Sequence, residues 1–230
     1  MKKTRKLIPA LAMLLISAVM MSTASFAWFS MNKQVSATGF EITANSDNVW
    51  LAINTGSTFD PTNNEKVATS SGESTALYPV APATTITAAN VETAASWHFA
   101  YSNATDNSDK DGDYTACSTI DGYLASETFS IGLSNASGEN SAPNLRLTAV
   151  SLPEDTGISV VVVCGTNAYT HTDSADSLNE TLAANVTKAG TVITVYYFIN
   201  GEDDNVFVDN IANLKGKVTL SFDVGTVVTP

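Results

Sequence analysis

The chain has 230 residues, with 11 Lys and Arg against 23 Asp and Glu and a formal charge of −12. That balance argues against nucleic acid and anionic lipid surfaces as partners, because both are held by basic patches. The length suits one domain of sandwich size, able to bury roughly 70% of its unfolded surface.

Residues 1–27 read as a secretory signal peptide. Lys2, Lys3, Arg5 and Lys6 form a basic start, an apolar run follows to Met21, and Ser25 and Ala27 supply the small residues for cleavage after Ala27. The rival reading is a retained anchor, but an apolar run of roughly 15 residues falls short of the ~20 that span a bilayer. Cleavage removes four basic and no acidic residues, which leaves seven Lys and Arg against 23 Asp and Glu, a charge of −16 on residues 28–230. Such a charge suits a secreted protein, extracellular or at the cell surface, and it also suits cation binding. No stretch after residue 27 is apolar for long enough to cross a membrane, so no membrane contact is expected after cleavage.

Residues 28–38 alternate with a period of two. Phe29, Met31, Val35 and Ala37 share one face, interrupted by Lys33, while Ser30, Asn32, Gln34, Ser36 and Thr38 share the other. The pattern predicts a strand headed by Trp28 and meant for burial. It is either the first strand of the chain's own sheet or a strand donated to a neighbouring subunit by β-augmentation. Burying Phe29, Met31 and Val35 contributes roughly 5–9 kcal/mol, whereas ordering about ten residues costs ~10–20 kcal/mol of backbone entropy. A ladder of hydrogen bonds at ~0.5–1.5 kcal/mol each has to close that gap.

Residues 39–230 read as a single β-sandwich domain. Phe40 and Ile42 open a second run, and 49–53 (VWLAI) is a compact apolar run bounded by Asn. Residues 54–75 and 102–116 are polar and loop-like, and 96–101 (SWHFAY) alternates as a strand in which His98 reads as a polar-face histidine rather than a ligand. Phe129, Ile131 and Leu133 alternate with polar residues, as do Leu145, Leu147 and Ala149. Residues 157–165 (GISVVVVCG) form a near-continuous β-branched run, the signature of a strand buried on both faces, and 191–199 (TVITVYYFI) is similar. Val218, Leu220, Phe222 and Val224 alternate strictly. Turn signals at Asp111-Gly112, Asp121-Gly122, Gly201 and Lys215-Gly216 separate the runs. One short helix is predicted over 174–186 (SADSLNETLAANV) and a single helical turn over 209–214. Many strands without αβ alternation predict an all-β, antiparallel β-sandwich with at most one or two short helices.

Catalysis finds no support in the residues, and the chain reads as no enzyme. There are two histidines, His98 and His171, and no H-E-x-x-H for zinc. Gly132-Leu133-Ser134-Asn135-Ala136 lacks the last glycine of a nucleophile elbow, and no phosphate-binding glycine loop occurs. In 107–114 (NSDKDGDY), Asn107, Asp109 and Asp111 fall at positions 1, 3 and 5 of a calcium loop, with Gly112 at position 6 and Asp113 beside it. The twelfth position is Ser118, where a bidentate Glu belongs. The stretch is therefore either a calcium site formed by Asn107, Asp109, Asp111 and Asp113 or a solvated turn; otherwise no cofactor is expected. Four Asn-x-Ser/Thr sequences, at Asn103, Asn135, Asn179 and Asn185, mark exposed positions. Cys117 and Cys164 are either a disulfide, adding about 4 kcal/mol in the chain-entropy model, or two unpaired residues with Cys164 in a buried strand.

The junction carries a resemblance. Small-x-Ala, an aromatic, about ten alternating residues and then Thr38-Gly39-Phe40-Glu41-Ile42 is similar to the start of the TasA/camelysin family of secreted bacterial proteins. The 127–135 stretch (ETFSIGLSN) and the 218–222 strand (VTLSF) extend it, while the middle of the chain has no match. The resemblance implies a jelly-roll-like sandwich, cleavage by a dedicated signal peptidase, and a homopolymer forming biofilm-matrix fibres. Each subunit would donate residues 28–37 to the next, with Trp28, Phe29, Met31, Val35 and Ala37 as the polymerisation residues. Some family members are described as metalloproteases; no metal-ligand motif here supports carrying that over. The leading expectation is thus a secreted fibre subunit. The alternative is a monomeric adhesin or glycan-binding sandwich, with Trp50, Trp97 and Tyr101 as a stacking surface for sugar, although aromatics spaced this way are more often core.

Overall fold

A computed structural model describes residues 35–36, 40–44, 51–62, 65–69, 76–99, 115–207 and 216–225. Its strands are β1 (Val35–Ser36), β2 (Phe40–Ala44), β3 (Leu51–Thr55), β4 (Val67–Thr69), β5 (Ala76–Leu77), β6 (Pro79–Pro82), β7 (Trp97–Phe99) and β8 (Ala125–Leu133). There follow β9 (Ser141–Ser151), β10 (Ile158–Cys164), β11 (Asn167–His171), β12 (Glu180–Thr187), β13 (Thr191–Asn200) and β14 (Val218–Asp223). Among the described residues the only helical element is a 3₁₀ turn at Ala94–Ser96.

Two large sheets pack face to face, the all-β sandwich that the alternating runs predict. One has the order β12-β9-β14-β2-β4. The other runs β11-β10-β13, and the far edge of β13 is shared: β8 pairs with it from Thr191 to Tyr197, and β6 takes over at Ile199 and Asn200. β3 lies outside β8, and β7 outside β6. The ladders are antiparallel except for β14 with β2 and β13 with β6, two parallel pairs that alternation alone does not reveal. Alternation fixes which side chains face inward, but the direction of a partner strand depends on connections between distant parts of the chain.

Inward side chains of both sheets merge into one core. Phe129, Ile131, Val160, Val162, Ile193 and Val195 from the larger sheet meet Leu145, Leu147, Leu182, Val186, Leu220 and Phe222 from the other. The β14 pattern of alternately buried residues follows its sequence alternation. A second apolar cluster lies on the opposite face of the larger sheet. There, residues of the 83–96 and 115–124 segments, among them Ile86, Val91 and Cys117, cover Val161, Tyr196 and Phe198 together with Trp97. This covering layer explains why β10 is buried on both faces, as its β-branched run predicts.

Two expectations are corrected. The helix over 174–186 is instead largely strand β12. Leu182 and Val186, four residues apart, both face the core, as the period of two in a strand allows; the β12–β9 ladder is bulged between Thr181 and Ala183, and Asn144 on β9 takes a φ of 54°. A pair four residues apart lies on one face of a strand as well as of a helix, so this spacing does not tell the two apart. The 54–75 stretch is not all loop, since β4 adds an edge strand to β2. The turn proposed for 209–214 lies outside the described residues.

Candidate functional site

Of the N-terminal strand, Trp28, Phe29, Met31 and Ala37 lie outside the described residues, as does the cleavage site at Ala27. Val35 and Ser36 form β1, which pairs antiparallel with β5 through Val35↔Leu77 and Ser36↔Ala76. This two-stranded ribbon belongs to neither large sheet. Leu77 itself is fully buried within the sandwich core.

The lateral edges of the sandwich are tied by its own polar groups. Between the edge strands β11 and β12, Asn167 Nδ2 donates to the Thr181 and Leu182 carbonyls at 3.3 and 2.9 Å, and Tyr169 Oη donates to Thr181 O at 2.9 Å. His171 Nε2 stands 2.9 Å from Glu180 Oε2 across the same seam. On the other side, Ile53 N donates to Glu65 O at 2.9 Å, linking β3 to the segment that leads into β4. Capping an edge in this way blocks further strand addition there.

A cleft of about 430 Å³ opens at one end, where the 152–158, 172–174 and 203–205 segments converge. Glu154, Asp155, Asp173 and Asp203 line it, a grouping of carboxylates that sequence reading missed because they come from three distant loops. Its hydroxyls are engaged in holding those loops. Thr156 Oγ1 donates to Pro153 O at 2.9 Å, and Ser174 Oγ accepts from Leu152 N at 2.8 Å and donates to Leu152 O at 3.2 Å. No group of three or more His, Cys, Asp or Glu among the described residues is placed to hold a metal ion. Asn107, Asp109, Asp111 and Asp113, the proposed calcium ligands, lie outside the described residues.

The aromatic residues assigned to a sugar-stacking surface separate. Trp97 is 0% exposed, its indole Nε1 donating to Val91 O at 2.8 Å, so it is a core residue and not a platform. Trp50 and Tyr101 lie outside the described residues. The exposed ring is Tyr78, at 41%, tilted against Tyr123 with centroids 5.6 Å apart, while Phe99 backs Tyr123 at 5.1 Å. His98 lies 3.5 Å from the Glu202 carboxylate. Tyr196 donates to Glu92 Oε1 at 2.6 Å, and burial first, then this bond, push its phenol up to about 12.

Both cysteines are free thiols, and both are buried. Cys164 belongs to the core between the sheets and Cys117 to the cluster on the opposite face, so the disulfide alternative is not formed in this structure. Burial pushes the Cys164 thiol up to about 11 and raises that of Cys117. Thiolates are the reactive form, so native chain at pH 8 is expected to give no thiol reaction with Ellman's reagent, and denatured chain two equivalents. A denatured count of zero would instead reveal a disulfide. Asn135, Asn179 and Asn185 are exposed, as their sequence context predicts, and Asn103 is outside the described residues.

No protein-family model, curated protein or solved structure matches the chain.

Proposed function

We propose that the chain is a secreted structural subunit of extracellular, biofilm-matrix fibres, assembled by insertion of its N-terminal strand into a neighbouring copy. The observation that carries this reading is the position of β1, which among the described residues joins neither large sheet and pairs only with β5. A strand held outside both sheets can be exchanged for the same strand of a second copy without breaking a ladder of either sheet. The seams at β11–β12 and at β3 are already engaged by the chain's own groups, which favours β5 as the acceptor edge. Two residue pairs alone give no advantage over pairing within one chain, where effective concentrations reach the millimolar range. The alternating residues Trp28, Phe29, Met31, Val35 and Ala37 supply the additional contact that exchange needs. The jelly-roll connectivity and the signal-peptidase processing belong to the same proposal.

Negative-stain microscopy of residues 28–230 and 38–230, concentrated identically, tests it. Fibres are expected from the longer chain only, with the shorter one folded and monodisperse. If both remain monomeric and the shorter is merely destabilised, β1 is a strand of its own subunit and the fibre reading fails. The alternative of a monomeric adhesin or glycan-binding sandwich then leads; Tyr78, exposed above Tyr123, is the residue that favours it. A glycan array with Tyr78→Ala as control would test that reading.

A further inference from the structure

After β3, residues 54–62 form a strap tied to β8 and to the turn that follows it. Gly56 N donates to Thr128 O at 2.7 Å. The Phe59 ring lies over Gly132 and Gly190, where an added Cβ would meet it at 2.5 and 2.3 Å. Asn135 N donates to Pro61 O at 2.7 Å. The Asp60–Pro61 bond is thus anchored on both sides, while Asp60 and Thr62 stay exposed to water. Of the chain's seven prolines, Pro61 alone follows an aspartate.

The Asp60 side chain is folded toward that bond. Its Oδ1 accepts from Thr62 N at 2.9 Å and from Thr62 Oγ1 at 2.7 Å. The first of these is an Asx turn, which closes a ring of atoms containing the Asp60–Pro61 peptide bond. Asp60 N in turn donates to Asn54 Oδ1 at 3.3 Å, and neither Thr62 nor Asn54 titrates. The Thr62 hydroxyl first, and its backbone N–H second, hold the Asp60 carboxyl below the usual carboxylate range. The group therefore remains an anion, and a nucleophile, in weakly acidic water.

We propose that Asp60 cleaves its own bond to Pro61 in weakly acidic medium, a self-processing activity of this chain. Asp60 Oδ2, which neither Thr62 bond uses, attacks the Asp60 carbonyl carbon. A C–O bond forms and closes a cyclic anhydride as the C–N bond breaks. The electron pair leaves on the Pro61 nitrogen, which carries no N–H in the chain and departs as a secondary amine after taking a proton from solvent. Water then opens the anhydride, restoring the Asp60 carboxylate and leaving an α-carboxylate beside it. One water is consumed, and nothing is oxidised or reduced. Holding the carboxylate over the bond it attacks replaces a search among rotamers by a fixed approach. Acid supplies the proton that the leaving amine needs, whereas stronger acid neutralises the nucleophile, so the rate passes through a maximum with pH. Both pieces stay in place after the cut, because β2 lies between β14 and β4 and β3 lies on β8. The inference holds whether or not the chain forms fibres.

Intact mass spectrometry of residues 28–230 kept at pH 5 tests it, with a synthetic peptide of residues 54–66 beside it. The folded chain is expected to release the 61–230 piece about tenfold or more faster than the peptide is cut, at a rate independent of protein concentration. The two pieces should co-elute in gel filtration until urea separates them. Asp60→Asn should stop the cut, and Asp60→Glu, which keeps the charge but must close a larger ring, should stop it too. Thr62→Val should slow it several-fold. A folded chain cut no faster than the peptide would show that the strap protects the bond, and would overturn the proposal. Continued cutting in Asp60→Asn, or a rate that rises with protein concentration, would also overturn it, by assigning the cut to another agent.

Discussion

Gly157→Ala is expected to destabilise the fold by about 2–5 kcal/mol, as the sum of two effects. Gly157 has a φ of +61°, where an L residue is strained by roughly 1–2 kcal/mol. Its added Cβ would also lie 2.3 Å from Cγ2 of Val206 and 3.2 Å from the Asn200 carbonyl. Val206 is fully buried, so it has no free space into which to retreat, and overpacking of this kind costs typically 1–3 kcal/mol. The site also starts a ladder, since Asn200 N donates to Gly157 O at 2.7 Å where β10 and β13 meet. Gly165, at the other end of β10, is the internal control: its φ is +59°, but nothing lies within 4 Å of its Cβ position. Gly165→Ala should cost only the strain, about 1–2 kcal/mol. Urea midpoints at unchanged m-value measure both. Equal shifts at the two glycines would mean that Val206 does not close over Gly157.

The same strand shows what the sequence makes legible. The β-branched run between Gly157 and Gly165 predicts burial on both faces, and it is buried on both. What lies above its outer face is not legible, because the cover comes from Ile86, Val91 and Cys117, in stretches with no recognisable alternation, together with Trp97. Periodicity describes a residue's neighbours on its own strand, whereas a covering layer of loops and short turns is specified by contacts distant in sequence. For that reason the sequence leaves Trp97 between a stacking residue and a core residue, and the structure places it in the core. The helix predicted over 174–186 fails differently: Leu182 and Val186 lie four residues apart, which puts them on one face of a strand as well as of a helix, and residues 180–187 form strand β12. For the candidate site, the alternation predicts a strand over 28–38, of which the described residues, Val35–Ser36, form one. Its partner, Ala76–Leu77, is too short to leave a pattern of its own.

Trp97→Ala is expected to cost about 3–5 kcal/mol, the usual range for a fully buried large aromatic. The indole packs edge-on against Phe198, with centroids 4.9 Å apart and planes at 67°, and its N–H serves the Val91 carbonyl. Truncation removes the apolar contact and leaves that carbonyl without its donor, a penalty that a cavity alone would not carry. Trp97→Phe keeps most of the ring contact and loses the hydrogen bond, so roughly half the cost is expected on the same grounds. Denaturation followed by circular dichroism measures both. The consequence extends beyond stability, because Trp97 pins the layer that covers one half of the outward sheet face. Loosening it exposes Phe198, Val161 and Tyr196, an apolar patch on that sheet face. Apolar patches of several hundred Å² promote association. Trp97→Ala at low denaturant should therefore bind a hydrophobic dye and form non-specific oligomers. A destabilised Trp97→Ala that stays monomeric and dye-free would show that the layer opens without uncovering the sheet.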